Sequence, residues 1–461
     1  MSTSFVAPRA LRWLRATALL GVAALALLLA LPAQAVPMFA RETGQPCSAC
    51  HIGGFGPQLT PFGRQFKLDG YRLDVHKGWD THISAMAIES FTHTQQAQSA
   101  PPAPNYGLNN NTELQQASIF YGGKLAAHWG MLGQITYQQA TGQWGWDNTD
   151  VRYAHNYMLG GKGGVFGVSF NNNPTVSDVF QTSPAWIYPY TATDLVPGPP
   201  ASPAIMGAFA QQVVGATAYT MFDSNWYGEA GMYRTLSSSL LQQRPFNAGF
   251  NGRIVGAAPY ARIAYTRNIG AGDIEVGGMF FDARQGQVGT NNNGTVIAVP
   301  GPYNQYKDYG VDASYQYLGT GKHIFTADAL YVTERQTLTG TYSQGGSSNL
   351  RNTVNSLNLN GSYWYNNTYG ITLAGFRNNG TADPILYANR TGSPLTQGYM
   401  VEFNINPFGK YNSFDRPWVN LRFGLQYTYY TLFDGAATNF DGAGTNAHAN
   451  NTLYAYVWTA F

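Results

Sequence analysis

Cysteine is nearly absent from this chain of 461 residues: only Cys47 and Cys50 occur. Two thiols are too few for a disulfide framework or a Cys-rich zinc centre. Charge is also scarce, at 11% of residues, against about 25% in an ordinary globular protein. After residue 31 there is no apolar run long enough to suggest a membrane-spanning helix. Of eight histidines, only His51 stands in a ligand-like cluster. No paired-carboxylate, Ser/His/Asp or phosphate-cradling motif stands out. Hydrolytic and nucleotide-binding chemistry therefore lack their usual residues.

What is present begins with Cys47-Ser48-Ala49-Cys50-His51. A Cys-x-x-Cys-His run attaches a c-type haem. The thiols add to the haem vinyl groups, and the adjacent imidazole becomes an axial ligand of the iron. Three other readings compete. A thioredoxin-like redox pair needs a βαβ context, and none is visible. A Cys47–Cys50 disulfide leaves His51 without a role. Zinc needs four ligands, and His76 is the one nearby candidate for the fourth. Covalent haem accounts for all three residues.

The N-terminus has the form of a secretory signal. Arg9, Arg12 and Arg15 precede the apolar run Ala16–Leu31, and Ala33-Gln34-Ala35 supplies a small-x-small cleavage site. Residues 1–35 are read as the signal peptide, and Val36 as the first mature residue. The signal carries three Arg and no acidic residue, which leaves 23 basic against 24 acidic side chains. A chain this close to neutral gives no support for a nucleic-acid partner.

Residues 36–77 form the candidate haem segment. Thr60-Pro61 reads as an N-cap and first helical residue, with Gly70 as the stop. Phe62 and Phe66 fall at i, i+4 and are expected to share a face against the porphyrin. Arg64 and Lys67 are expected either to meet the haem propionates or to be solvated. About forty residues are too few to fold alone without a staple. The stretch from Ala35 to Gly44 before the motif, and Pro57 to Tyr71 after it, resembles the fused outer-membrane monohaem cytochrome–porins. These are best known as iron(II) oxidases. One departure is the spacer Ile52-Gly53-Gly54-Phe55-Gly56, which is longer than in the iron oxidisers.

From residue 78 to 461 the pattern is that of an outer-membrane barrel. Tyr (31) and Gly (53) are abundant, and strand-length segments alternate in polarity between turn residues. In 418–431, Val419, Leu421, Phe423, Leu425, Tyr427 and Tyr429 oppose Asn420, Arg422, Gln426 and Thr428. In 309–317, Tyr309, Val311, Tyr315 and Tyr317 oppose Asp312, Ser314 and Gln316. Sixteen such segments run from 80–92 to 452–461, among them 150–159, 272–285 and 306–319. Connections after even-numbered segments are mostly tight, and those after odd-numbered ones mostly long. The expected fold is all-β: a sixteen-stranded antiparallel transmembrane barrel with a short helix-containing N-terminal plug. By analogy with sixteen-stranded porins, the Pro-rich connection 172–210 is expected to cover the haem or narrow the lumen.

Haem in such a barrel implies an oxidoreductase or electron carrier in the outer membrane, with the haem segment entering from the periplasm. The resemblance implies an extracellular donor, Fe(II) first, and a periplasmic cytochrome or other soluble acceptor, with membrane lipid around the barrel. The alternatives are a diffusion porin with a haem-bearing redox gate, or a conduit for another donor. For the sixth iron ligand the sequence offers Met38 or His76 within the plug, and His82 or Met86 on the first strand.

Overall fold

The computed structural model describes residues 38–73, 82–243, 246, 248–410 and 419–461. The expected signal peptide 1–35 and His76 lie outside the described residues.

Among the described residues, sixteen antiparallel strands close into one barrel. Its first half comprises β1 (Ile83–Thr94), β2 (Asn111–Ala126), β3 (Trp129–Gln138) and β4 (Gln143–Leu159). Then come β5 (Lys162–Asn171), β6 (Val213–Phe222), β7 (Trp226–Thr235) and β8 (Ala258–Ile269). The second half comprises β9 (Gly272–Thr290), β10 (Val296–Tyr317), β11 (His323–Thr337) and β12 (Arg351–Tyr365). Last are β13 (Tyr369–Gly380), β14 (Thr396–Ile405), β15 (Asn420–Leu432) and β16 (Thr452–Ala460). Each strand pairs with its chain neighbours, and β1 seals against β16, with Met86 opposite Ala460.

The alternation read in the sequence is the division between the two faces. On β15, Phe423, Leu425, Tyr427 and Tyr429 are exposed outward, while Arg422, Gln426 and Thr428 are buried inward. On β10, Tyr309, Val311 and Tyr315 face out, and Asp312, Ser314 and Gln316 are buried. A closed sheet with an apolar, aromatic exterior leaves no backbone group unpaired toward lipid. The protein is a porin-like transmembrane β-barrel of the outer-membrane type, in contact with lipid around its wall.

Three strands are longer than their alternation suggested. β4 starts at Gln143, and β9 and β10 continue to Thr290 and back from Val296. The connection expected at 286–305 is therefore mostly a hairpin, closed by a turn in which Gly294 has φ 77°. Its ladder breaks between Val299 and Asn304, where Pro300 and Pro302 have no N–H to donate.

Two segments fill the lumen. The first, 38–73, contains α1 (Met38–Thr43), α2 (Cys47–Cys50) and α3 (Pro61–Leu68) and lies at the short-turn end. Helix α3 starts as expected: Thr60 Oγ1 accepts from Gly63 N at 3.2 Å, with Pro61 in the first turn. It ends in a left-handed Gly70 (φ 74°), with Tyr71 N bonded to Phe66 O and Gly70 N to Lys67 O. That pairing is a Schellman stop, with the Phe66 and Tyr71 rings 5.9 Å apart as its apolar contact.

The plug is held by the barrel rather than by itself. Asn406 Nδ2 donates to Gly53 O at 2.6 Å, Asn420 Nδ2 to Gly54 O at 2.7 Å and Arg422 Nη2 to Phe55 O at 2.7 Å. Gln316 Nε2 reaches Leu59 O, and the Tyr219 hydroxyl reaches Leu68 O. These luminal side chains satisfy carbonyls that have no sheet or helix to pair with. The spacer 52–56 is the stretch clamped to β15 and the end of β14.

The second segment is the connection from β5 to β6, which folds inward from the long-loop end. Asn172, Thr175, Val176, Ser177, Asp178, Val179 and Ser183 are fully buried. Asp178 pairs with Arg262 at 3.2 Å, Tyr188 OH donates to Glu402 at 2.7 Å and Ala204 N to Glu334 at 2.6 Å. The connection thus spans the lumen from β8 to β11 and β14. Plug and loop meet in the middle: Lys67 Nζ donates to Val176 O at 2.8 Å. Arg152 of β4 donates to both Lys67 O and Ser177 O.

Candidate functional site

Where plug and loop meet there is a cavity of about 450 Å³. Cys47, Cys50 and His51 lie on its plug wall; Phe39, Phe55, Leu59 and Phe66 make that wall apolar. Met86 of β1 and Trp458 of β16 close one side, and Trp186, Ile187 and Tyr190 of the inward loop form the roof. Its size lies within the usual range for a bound organic cofactor or ligand.

Local structure brings the motif together. Helix α2 spans Cys47–Cys50, so the two thiols sit one turn apart, and His51 leaves it in extended conformation with its N–H on Cys47 O. Helix α3 packs against the motif at Gly63, where a Cβ would stand 2.3 Å from Cys50 O. Only glycine fits there. Thr60 N donates to Cys50 O at 2.9 Å, tying the start of α3 to the end of α2.

Burial pushes the Cys47 thiol up to about 11 and the Cys50 thiol up to about 12. Redox-active Cys-x-x-Cys pairs have lowered values instead, so the surroundings argue against a thioredoxin-like role. The thiols are not joined to each other. Burial, with the Arg422 guanidinium adding to it, pulls His51 down to about 4. The imidazole is therefore neutral at ordinary pH, the form in which histidine binds iron. Its Nδ1 is buried without a hydrogen-bond partner. Among the described residues no group of three or more His, Cys, Asp or Glu is arranged to hold a bare metal ion.

These features fit a covalently attached haem: two thiols and a neutral imidazole on one wall of an apolar, aromatic cavity. Cys47 and Cys50 would hold it, and His51 would ligate its iron.

Of the sixth-ligand candidates, Met38 is buried and lines the cavity beside the motif. Met86 also lines it, with its Sδ accepting from Trp458 Nε1 at 3.2 Å. His82 precedes β1 and turns to Gly122 O, 3.0 Å away, and does not line the cavity. His82, expected on the first strand with Met86, lies just before it, because β1 begins only at Ile83.

Two expectations about α3 are corrected. Phe62 is 42% exposed, and of the pair only Phe66 lines the cavity. The close approach at Gly63 turns the helix so that Arg64, Phe66, Lys67 and Leu68 are buried. Arg64 and Lys67 are therefore not solvated. Arg64 is paired through Nη1 with Asp273 on the barrel wall, and its Nε and Nη2 are buried without a partner. Lys67 reaches Val176 O and lies 4.3 Å from the Trp186 ring centre, at the cavity edge.

No protein-family model matches the chain, and no curated protein does. Solved structures do. The outer membrane channel DcaP of Acinetobacter baumannii is 11% identical with a TM-score of 0.44, over 82% of this chain and 97% of that one. The anion-selective porin from Comamonas acidovorans is 11% identical with a TM-score of 0.42, over 82% and 98%. OprB of Pseudomonas putida at high pH is 12% identical with a TM-score of 0.44, over 83% and 95%.

Proposed function

We propose that the protein is an outer-membrane electron conduit built on one covalent haem c. The observation that carries the reading is the Cys-x-x-Cys-His wall of an apolar cavity enclosed between plug and inward loop, inside the barrel. A haem hung in the periplasm would be a membrane's thickness from an outside donor; one in the lumen is near both faces.

When bound, the haem supplies one-electron chemistry. The chain's residues do the rest. Cys47 and Cys50 hold the group, neutral His51 ligates its iron, and Phe39, Phe55, Phe66 and Trp458 keep water from it. The cavity's low polarity and the sixth ligand set the potential. The short-turn end is periplasmic in barrels of this kind, so the plug enters from the periplasm and the acceptor, a cytochrome or another soluble carrier, docks there. The resemblance noted above makes Fe(II) the first candidate donor.

The test is anaerobic stopped-flow mixing of the purified haem protein with Fe(II). Rapid reduction supports the reading. Haem that dithionite reduces but Fe(II) does not removes iron as donor. Cys47→Ala with Cys50→Ala should leave no haem after acid–acetone extraction, whereas wild type keeps it; extractable wild-type haem would overturn the attachment itself.

The contact between Lys67 and the inward loop favours a second reading, a diffusion porin with a redox gate. It requires bilayer conductance that changes on haem reduction.

A further inference from the structure

Outward of the cavity, at the long-loop end of the lumen, several buried oxygen atoms on neighbouring side chains have no hydrogen-bond partner. Glu113 of β2 is 5% exposed and Gln115 is 6% exposed, and both point inward. Glu113 Oε2 accepts from the Tyr106 hydroxyl at 3.3 Å, while its Oε1 is buried without a partner. Gln115 spends its amide N–H on Asp194 Oδ2 at 2.9 Å, and its Oε1 is also buried without a partner. Asp194, in the inward loop, is exposed and meets β2 through this contact with Gln115. Among the described residues neither carboxylate is in an ion pair.

Two carboxylates beside orphaned buried acceptors are costly unless a donor or a cation meets them. The available atoms are carboxylate, amide and hydroxyl oxygens, the buried Ser90 Oγ standing opposite Glu113 in the ladder without a partner of its own; this is the donor set of a hard divalent cation, and no Cys or His adds softness. Exposed Asp194 leaves a way in from outside. The same elements lead to the cavity: Gln116 follows Gln115, and Tyr190 precedes Asp194 by four residues, and both line it.

We propose that Glu113, Asp194 and the amide oxygen of Gln115 form a binding site for a hard divalent metal ion at the outer mouth of the lumen. The role of the site rests on the conduit reading, in which the bound ion is the donor, Fe(II), held before it reacts. The site itself needs only these residues.

The probe is Mn(II), titrated into the purified full-length haem protein in detergent, with free ion read by electron paramagnetic resonance. Wild type should show a saturable site that Glu113→Gln and Asp194→Asn each weaken roughly tenfold or more. Both changes keep side-chain shape and relieve like-charge repulsion. Heat-modifiable migration of the folded barrel checks each variant, and Gln115→Ala carries the test should Glu113→Gln not fold. Unchanged Mn(II) affinity in the folded double variant overturns the site, even where Fe(II) still reduces the haem. Mn(II) binding lost in the variants supports the site, even where Fe(II) never reduces the haem and the conduit reading falls.

Discussion

Met38 and Lys67 are the residues on which the chemistry of the plug turns. Both cavity-lining methionines offer a thioether; Met86 already accepts a hydrogen bond from Trp458, whereas the Met38 thioether packs against Gly122 of β2. Truncating a buried methionine to alanine costs ~2–5 kcal/mol, so Met38→Leu, which keeps the volume, is the cleaner change. We expect the thioether–iron charge-transfer band to vanish in Met38→Leu and to persist in Met86→Leu; the opposite result makes the barrel the ligand's source. Lys67 carries a pH dependence. Burial, with the Arg152 guanidinium next, pulls its ammonium down to about 7 from an ordinary 10.5. Between those values the unfolded chain binds more protons than the folded one, so stability rises with pH. The contribution is complete above 10.5 and is lost as pH falls through about 7. Lys67→Met should flatten that rise, by an amount on the order of 5 kcal/mol. Protease cleavage of the plug against urea concentration, at several pH values, would measure it.

At the scale of elements, the inward loop is fastened most firmly at Asp178. Its carboxylate accepts the backbone N–H groups of Phe180, Thr182 and Ser183 at 3.0–3.1 Å and pairs with Arg262. Arg262 is also held by Glu275 and Asp312, so its charge stays compensated without Asp178. The loop's own turn does not survive the loss. Asp178→Ala should loosen the loop while leaving β8 in place, at a cost of ~3–5 kcal/mol, as for breaking a buried pair. Greater protease sensitivity confined to 172–210 is the expected sign, and an unchanged digest would refute it. That the loop enters the lumen was expected from its place after the fifth strand. Which residues anchor it was not, because Asp178 and Arg262 are 84 positions apart and meet only once the barrel closes.

At the scale of the whole molecule, plug and loop block the lumen from opposite ends and touch through Lys67 and Arg152. A sixteen-stranded barrel would otherwise enclose an aqueous channel. The intact protein should therefore conduct almost nothing in planar bilayers, and a variant lacking 38–73 should conduct measurably. Porin-sized conductance from the intact protein would mean that the plug leaves the lumen in the membrane.

The sequence by itself determined the strand number, the closure of the sheet and the faces of β10 and β15. The reason is that lipid outside and a filled lumen inside impose a period-two pattern on every strand. It determined the caps of α3 at Thr60 and Gly70 as well, since a cap is a local hydrogen-bond arrangement. It placed Cys47, Cys50 and His51 together because the motif is contiguous. Only the tertiary structure decided that Arg64 spends its charge on Asp273, that Phe62 turns away while Phe66 faces the cavity, and that carbonyls 53–55 rest on Asn406, Asn420 and Arg422. Those partners are hundreds of residues apart in the chain, and a closed barrel brings its far strands to one interior without leaving any local trace in the sequence.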